Sequence, residues 1–286
     1  MKHLIITCSD ENYAEFLLLH WLESLFSNLK LEKFEIAILD YGLNEFQKKI
    51  LLQKNVKIFQ CQRNGYPCTI RFRDLEFYLE KSDYDQVLMC DSGDIIFQDS
   101  IANLFEENKE SIRAICEDSK GLFDITYLKG VNNSDYVSKL LKGRKLINAG
   151  FLLGPSSLMK ELCNKFQTFI KNDQLYGPDQ IIINYLLYRD GFVQLDQKYN
   201  FIPISTKRFF KIEKGVFLDQ QNDTIPVVHN AGGRSLYRPI QDFGFGAGYN
   251  RKLNKFLFLI RFFNNSIDML RSISEAISLI QLKKER

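Results

Sequence analysis

The chain contains few residues of the kinds that mark small secreted domains and zinc modules. Its 286 residues include three histidines, one tryptophan, six prolines and six cysteines, and no two cysteines form a C-x-x-C pair. Scattered cysteines argue against a disulfide framework or a zinc site and are typical of a reducing compartment. No apolar run reaches the roughly 20 residues that span a membrane, and Leu4-Ile5-Ile6 is too short for a signal-peptide core. We therefore expect a cytoplasmic protein.

The chain also lacks a strong excess of charge of one sign. Its net charge is +3, which is too small to make nucleic acid the main partner. Two glycine-rich signatures are missing: no G-x-G-x-x-G follows the first apolar segment, and the chain has no P-loop. A classical dinucleotide site is therefore not expected. With 45% hydrophobic residues, the chain is long enough for one large domain with an appendage.

Short apolar segments alternate with helical patterns. The first half predicts strands at residues 4–8, 34–39, 56–59 and 87–89, with helices at 16–29, 44–53 and 72–79. This alternation predicts parallel βαβ units and a Rossmann-like α/β sheet. The second half predicts a strand at 146–153, a helix capped by Ser156 or Ser157, a helix opened by Pro178, and short strands at 201–205 and 225–229.

An acidic motif, Asp91-Ser92-Gly93-Asp94, stands where a buried strand ends. Two carboxylates beside an apolar strand are costly to bury unless a cation lies between them. At the carboxyl edge of an α/β sheet, a divalent metal holding an anionic ligand would supply that cation. We expect Gly93 to let the backbone turn so that both carboxylates face one ion.

His229 is the histidine best placed to join this site. It follows the apolar segment Ile225-Pro226-Val227-Val228, which would deliver it to a sheet edge. Manganese accepts carboxylate and imidazole ligands, so Asp91, Asp94 and His229 would make a suitable set for Mn²⁺ or Mg²⁺.

Taken in order, these motifs resemble those of GT-A fold glycosyltransferases, particularly the retaining family 8 type, over roughly residues 1–240. Asp91 to Asp94 occupies the place of the family's acidic metal motif, although the usual spacing is Asp-x-Asp and this chain has Asp-x-x-Asp. The other matching segments are Ile38 to Leu43, Ile147-Asn148-Ala149-Gly150-Phe151, Asp179-Gln180 and Val228-His229-Asn230-Ala231-Gly232.

The resemblance implies a GT-A fold, a mixed sheet flanked by helices, that binds a UDP-sugar donor with a metal ion. Around the nucleotide we expect Thr7 and Ser9 to line the base, Asp40 to contact uracil or ribose, and Asp91 to contact ribose or the metal. Arg73, or alternatively Arg71, would face the donor. Backbone amides at Gly232 and the cation Arg234 would meet the diphosphate.

Three residues are expected around the transferred sugar. Asn148 and Asp179 would hold its hydroxyls, and Gln180 would lie on the face opposite the leaving group. A carboxylate nucleophile with a covalent intermediate is one route to retention. The family resemblance instead implies front-face attack, in which the departing phosphate helps to deprotonate the acceptor.

The carboxyl-terminal segment differs in character from the rest of the chain. We place a domain boundary after residue 250, which leaves residues 251–286 as a basic, aromatic-rich helical extension. Such a helix would lie on an anionic membrane surface, as suits a peripheral enzyme with a lipid-linked acceptor, or pack on the body or on a second copy in a homo-oligomer.

The sequence therefore predicts a hexosyltransferase of glycan biosynthesis. It would move a hexose from a UDP-sugar to a glycan, lipid-linked or protein hydroxyl, with retention. The alternatives are an inverting GT-A transferase and a non-catalytic protein that binds nucleotide sugars or acts as a scaffold. A nucleotidyltransferase is disfavoured because no glycine-rich loop with a basic residue follows the first strand.

Overall fold

The structure is a computed structural model that describes residues 2–120, 125–231, 238–249 and 251–254. The described residues contain thirteen strands, and seven of them form the main sheet. The strands are β1 His3–Ser9, β2 Phe34–Asp40, β3 Lys57–Gln60, β4 Gln86–Cys90, β5 Ile95–Phe97, β6 Arg113–Lys120, β7 Lys145–Pro155, β8 Val193–Gln194, β9 Lys211–Glu213, β10 Val216–Leu218, β11 Val227–His229, β12 Ile240–Gln241 and β13 Lys252–Leu253.

The α-helices are α1 Ala14–Phe16, α2 Leu22–Asn28, α3 Glu45–Gln53, α4 Pro67–Glu80, α5 Ile125–Leu128, α6 Ser134–Leu141, α7 Ser156–Phe169 and α8 Pro178–Asp190. A π-helical turn, Leu17–Trp21, joins α1 to α2. Short 3₁₀ helices cover Leu31–Lys33, Ala102–Phe105 and Gln197–Asn200.

The main sheet has the strand order β3-β2-β1-β4-β7-β6-β8. Strands β3, β2, β1 and β4 are parallel, as the βαβ pattern predicts. Strand β7 runs antiparallel to both β4 and β6, so the sheet is mixed. Two separate pairs, β5 with β11 and β9 with β10, extend the structure beyond the sheet. The predicted mixed α/β architecture is confirmed.

Two apolar clusters cover the two faces of the main sheet. One contains Leu4 and Ile6 of β1 with α4, α7 and α8, and the other contains Ile5 of the same strand with Trp21 and Phe97. Neighbouring residues of β1 point to opposite faces, and both faces are buried, which explains why this strand is a continuous apolar run. A third cluster, around Phe217, packs the carboxyl-terminal strands onto β5 and β11.

Several predicted boundaries and two predicted features change in the structure. The strand predicted at 201–205 is wrong: Phe201 makes one isolated bridge to Val228, and the chain then turns back on itself at Ile202. Neither Ser156 nor Ser157 caps α7, because Pro155 holds the cap position and no side chain caps the helix. Pro178 occupies the first turn of α8, as predicted.

Within the described residues, no helix is both long enough and apolar enough to cross a membrane. All six cysteines are free thiols. The predicted helical extension of residues 251–286 lies outside the described residues, apart from 251–254, where β13 pairs with β12.

Candidate active site

The site lies where β1 and β4 end side by side. Asp91, the residue after β4, has room for its carboxylate because the neighbouring residue on β7 is Gly150, which has no side chain. The Asp91 N–H donates to the Gly150 carbonyl at 2.9 Å, and a Cβ on Gly150 would lie 2.4 Å from Asp91 Oδ2. Ser92 Oγ donates to the Cys8 carbonyl at 2.9 Å and so ties the motif to β1.

The β5–β11 pairing brings the second carboxylate to the histidine. In this antiparallel pair His229 is opposite Ile95, the residue after Asp94, and the Asn230 N–H donates to the Asp94 carbonyl at 2.8 Å. His229 Nε2 then lies 3.1 Å from Asp94 Oδ1 and 3.8 Å from Asp91 Oδ2. The structure therefore brings together the three residues that the sequence predicts as metal ligands.

The chemistry of this set fits a divalent cation. Ligand atoms of Asp91, Asp94 and His229 all lie within 4.8 Å of one another, and two carboxylates with one imidazole suit Mn²⁺. Burial is the largest single influence on His229 and would lower its pKa, but the charge and hydrogen bond of Asp94, together with the charges of Asp91 and Glu117, raise the pKa above its ordinary value. Burial alone would raise the pKa of Asp94, but His229 and Arg238 lower it. Both shifts show that the carboxylates of the cluster favour a positive charge beside them.

Gly93 contributes space rather than an unusual backbone angle. Its φ is not among the positive values in the chain, and a Cβ there would lie 2.8 Å from Cδ1 of the Tyr13 ring. Half of the Tyr13 side chain is exposed. The chain does bend at residues 92–94, as predicted, but without a positive φ, and Gly93 also lets an aromatic ring approach the acidic motif closely.

Arg71 is a buried arginine that contacts the acidic motif. Its guanidinium, 3% exposed, pairs with Asp91, lies 3.8 Å from Asp179 Oδ2 and donates to the Ala149 carbonyl at 3.1 Å. Of the two arginines that the sequence offers, Arg71 and not Arg73 lies at the site, because residues two apart point to opposite sides of a helix. Arg73 instead binds Asp74 at 2.8 Å and Asn64 Oδ1 at 2.7 Å.

Asp179 and Gln180, in the first turn of α8, reach the same sheet edge. Burial raises the pKa of Asp179 to about 6, although Arg71 opposes this shift. Gln180 accepts from the Ala149 N–H at 3.2 Å and donates to the Ile147 carbonyl. Asn184, one turn later, accepts from the Ile147 N–H at 2.7 Å and donates to its carbonyl at 2.7 Å. Side-chain hydrogen bonds to the β7 backbone thereby fix the position of helix α8.

Asn148 lies on β7 between these groups, and most of its amide is used inside the protein. Its Oδ1 accepts from the Gly150 N–H at 2.9 Å and from Asn200 Nδ2 at 3.1 Å. Its Nδ2 donates to Glu117 Oε1 at 3.0 Å. An asparagine has two N–H donors, so one N–H of Asn148 is left for a sugar hydroxyl.

Two of the residues predicted around the nucleotide lie at the end of β1. Thr7 and Ser9 are both buried at the end of β1, and Thr7 Oγ1 is a buried hydroxyl without a hydrogen-bond partner. Ser9 Oγ donates to the Asp10 carbonyl at 3.3 Å. Asp10, which the sequence reasoning missed, accepts from the N–H groups of Asn12 and Tyr13 and pairs with Arg63 at 2.8 Å.

The predicted contact of Asp40 with uracil or ribose is not supported by its surroundings. The Asp40 side chain is fully buried, and its Oδ1 accepts from the N–H groups of Gly42 at 2.8 Å and Leu43 at 2.6 Å. Its Oδ2 lies 3.3 Å from Lys48 Nζ. Asp40 closes the turn after β2, which is a common role of aspartate in a tight turn.

The two predicted diphosphate contacts, Gly232 and Arg234, lie outside the described residues. Within the described part, Arg238 brings a guanidinium nitrogen to 3.7 Å from Asp94 Oδ2, with 26% of its side chain exposed. The sequence reasoning also missed Glu117 and Asn200, both of which contact Asn148. No spacing signal marks these two residues, because β6 and the 3₁₀ helix Gln197–Asn200 meet β7 only in the folded chain.

Neither a protein-family model nor a curated protein matches this chain. Solved structures do. An active-site mutant of LgtC superposes with a TM-score of 0.57 at 18% identity, covering 90% of this chain and 94% of that one. The galactosyltransferase LgtC in complex with donor and acceptor sugar analogues gives 0.56 at 15%, covering 90% and 95%. The apo-form glycosyltransferase GlyE of Streptococcus pneumoniae TIGR4 gives 0.51 at 17%, covering 97% and 64%. The chain therefore has the fold of the GT-A glycosyltransferases.

Proposed function

We propose that this protein is a metal-dependent glycosyltransferase that moves a hexose from a UDP-sugar to an acceptor hydroxyl, with retention of anomeric configuration. The observation that carries the proposal is the cluster of Asp91, Asp94 and His229 at the carboxyl edge of a GT-A sheet. Ligands of open α/β sheets bind at this edge. A glycan, a lipid-linked sugar or a protein would supply the acceptor hydroxyl.

Asp91, Asp94 and His229 would hold the Mn²⁺ or Mg²⁺ ion. When bound, such an ion supplies positive charge that stabilises the diphosphate leaving group. Arg238 would add a second cation on the same side, because its guanidinium already faces Asp94 and suits phosphate oxygens. These positive groups would be in place before the reaction begins. Preorganised groups of this kind stabilise the charge that develops in the transition state and so lower the activation free energy.

The sugar would lie between this cluster and the amino end of α8. Asp179, next to Arg71, would accept hydrogen bonds from sugar hydroxyls, and Asn148 would donate its remaining N–H. Gln180, held by the backbone of β7, would place a neutral dipole beside the anomeric carbon. A neutral amide is a poor nucleophile, which favours front-face attack over a covalent intermediate.

The first experiment is calorimetric titration of UDP into the metal-stripped, full-length protein, with and without Mn²⁺. We expect binding that depends on the metal, followed by a screen of UDP-sugars and acceptors. Asp94→Asn should abolish the metal dependence, and Asp99→Asn is the matched control, because Asp99 is exposed at the other end of β5. Full activity in Asp94→Ala would contradict the proposal.

Product analysis distinguishes the remaining alternatives. NMR of the product anomer decides between retention and inversion. Donor binding without hydrolysis, and without transfer to any acceptor extract, would instead identify a non-catalytic nucleotide-sugar-binding protein.

A further inference from the structure

Behind His229 lies a chain of hydrogen-bonded side chains, two of which, Asn200 and Glu117, have no role in the proposed reaction. Its Nδ1 lies 2.9 Å from Asn200 Oδ1, and Asn200 Nδ2 lies 3.1 Å from Asn148 Oδ1. Asn148 Nδ2 donates to Glu117 Oε1 at 3.0 Å. Asn200 is 1% exposed and His229 is 2% exposed. The chain therefore joins a predicted metal ligand to a predicted sugar contact without passing through solvent.

The direction of every hydrogen bond in this chain follows from one backbone group. The Gly150 N–H, which can only donate, points to Asn148 Oδ1 at 2.9 Å. Asn148 must therefore present its oxygen at that end, and the same oxygen must accept from Asn200 Nδ2. Asn200 then has only its oxygen left to face His229, because each amide has one oxygen and one nitrogen.

The consequence for His229 is a fixed tautomer. An oxygen at Asn200 Oδ1 accepts but does not donate, so His229 Nδ1 must carry a proton. Nε2 is then the nitrogen that faces Asp94 Oδ1 at 3.1 Å and is the one able to bind a metal. In metal sites the partner of the second imidazole nitrogen sets both the tautomer and the orientation of the ring.

We propose that Asn200 is a positioning residue that fixes His229 for metal binding and at the same time fixes Asn148 for the sugar. This inference rests on the proposed function. It assigns to the 3₁₀ helix Gln197–Asn200 a task that its sequence does not suggest: the Asn200 amide couples the metal position to the sugar position.

Two substitutions separate the contact of Asn200 with His229 from its contact with Asn148. Asn200→Ala removes both contacts. Asn200→Asp keeps an oxygen for His229 Nδ1–H but loses the N–H that Asn148 accepts. The matched control is Asn28→Ala, because the Asn28 amide also makes two hydrogen bonds, to the Ser24 and Phe97 carbonyls, and Phe97 lies at the opposite end of β5 from Asp94.

The first readout is Mn²⁺ binding to the full-length, metal-stripped protein without nucleotide, measured by calorimetry. Loss of a ligand's hydrogen-bond partner typically costs about 10–100-fold in metal affinity, and we expect a loss in this range for Asn200→Ala. Asn200→Asp should stay within about threefold of wild type in metal affinity, yet lose about tenfold in kcat/KM through the lost hydrogen bond to Asn148. Asn28→Ala should match wild type in both.

The second readout is the ¹⁵N spectrum of the histidine rings in the Mg²⁺-loaded protein, which has three histidines. We expect His229 protonated at Nδ1 in wild type and in Asn200→Asp, and a mixture of tautomers in Asn200→Ala. Unchanged metal affinity and an unchanged His229 tautomer in folded Asn200→Ala would overturn the positioning role of Asn200 and leave the proposed function standing. A wild-type protein that binds neither Mn²⁺ nor Mg²⁺ would overturn both the proposed function and the role of Asn200.

Discussion

Gly150 and Asp91 occupy adjoining space that leaves no room for a Cβ on the glycine. A Cβ at position 150 would lie 2.4 Å from Asp91 Oδ2 and 2.9 Å from Asn148 Oδ1. The Gly150 φ is not positive, so this glycine is required for the close approach of a carboxylate and not for its backbone conformation. The acidic motif therefore depends on a residue of the neighbouring strand that carries no functional group.

Gly150→Ala should displace the Asp91 carboxylate and weaken metal-dependent UDP binding by about tenfold or more, while overpacking costs about 1–3 kcal/mol of stability. The measurements are calorimetry and thermal unfolding. Gly154→Ala on the same strand is the control, because a Cβ there would lie 3.2 Å from an Ile112 side-chain atom and would not meet the site. Equal UDP binding by the two variants would contradict this account.

Arg71→Met should destabilise the protein by about 3–5 kcal/mol, because it leaves Asp91 and Asp179 without their buried cation. Arg73→Met, on the opposite side of α4, should cost less than Arg71→Met, because Arg73 is 23% exposed and Asp74 keeps the hydrogen bond from the Tyr41 hydroxyl. Denaturant unfolding of both variants tests the comparison. If Arg73→Met were the more damaging of the two, the assignment of Arg71 to the site would be wrong.

Asp179→Asn should make the protein more stable at neutral pH and less active. The folded pKa of Asp179, raised by burial from 3.8 to about 6, means that its charge destabilises the fold above pH 6, and that this penalty disappears as the pH falls towards 4. The expected gain near pH 7 is about 1–3 kcal/mol. Denaturant unfolding at pH 7 and at about pH 4 measures it, and the two proteins should converge at the lower pH.

Glu35 should contribute stability that is lost in acid. Burial opposes its ionisation, but hydrogen bonds from Lys2, Lys57 and Tyr84 prevail and lower its pKa from 4.5 to about 2. The contribution is therefore complete above about pH 5 and declines as the pH falls towards 2. Glu35→Gln should cost about 2 kcal/mol near neutral pH, and its difference from wild type should shrink over that window. A pH-independent difference would exclude the ion pairs as its cause.

The sequence predicts the parallel half of the sheet well because each strand and helix there carries its own local pattern. The Pro178 helix start and the Asn44–Gln47 capping box are local signals of the same kind. Residues 201–205 were misassigned because Phe201 is apolar for packing against Phe210 and not for a ladder. The direction of β7 depends on contacts that no short pattern records.

The candidate site divides in the same way. Asp91, Asp94 and His229 were found because charged groups beside apolar strands are conspicuous. For Asp40, the sequence does not distinguish an aspartate that closes a turn from one that binds ribose, and the structure places its carboxylate in the turn after β2. Asn200 and Glu117 could not be found, since their role depends on which partners the fold places beside them.

The antiparallel pairing of β5 with β11 has a consequence for biogenesis. The acidic motif belongs to the first third of the chain, whereas His229 is supplied by a strand made much later. A nascent chain of which only the parallel strands and the acidic motif have left the ribosome therefore has the two carboxylates but not yet the imidazole. We expect the ion of the proposed site to be bound tightly only after β11 has been synthesised, so that ion loading would be one of the last steps in making the protein.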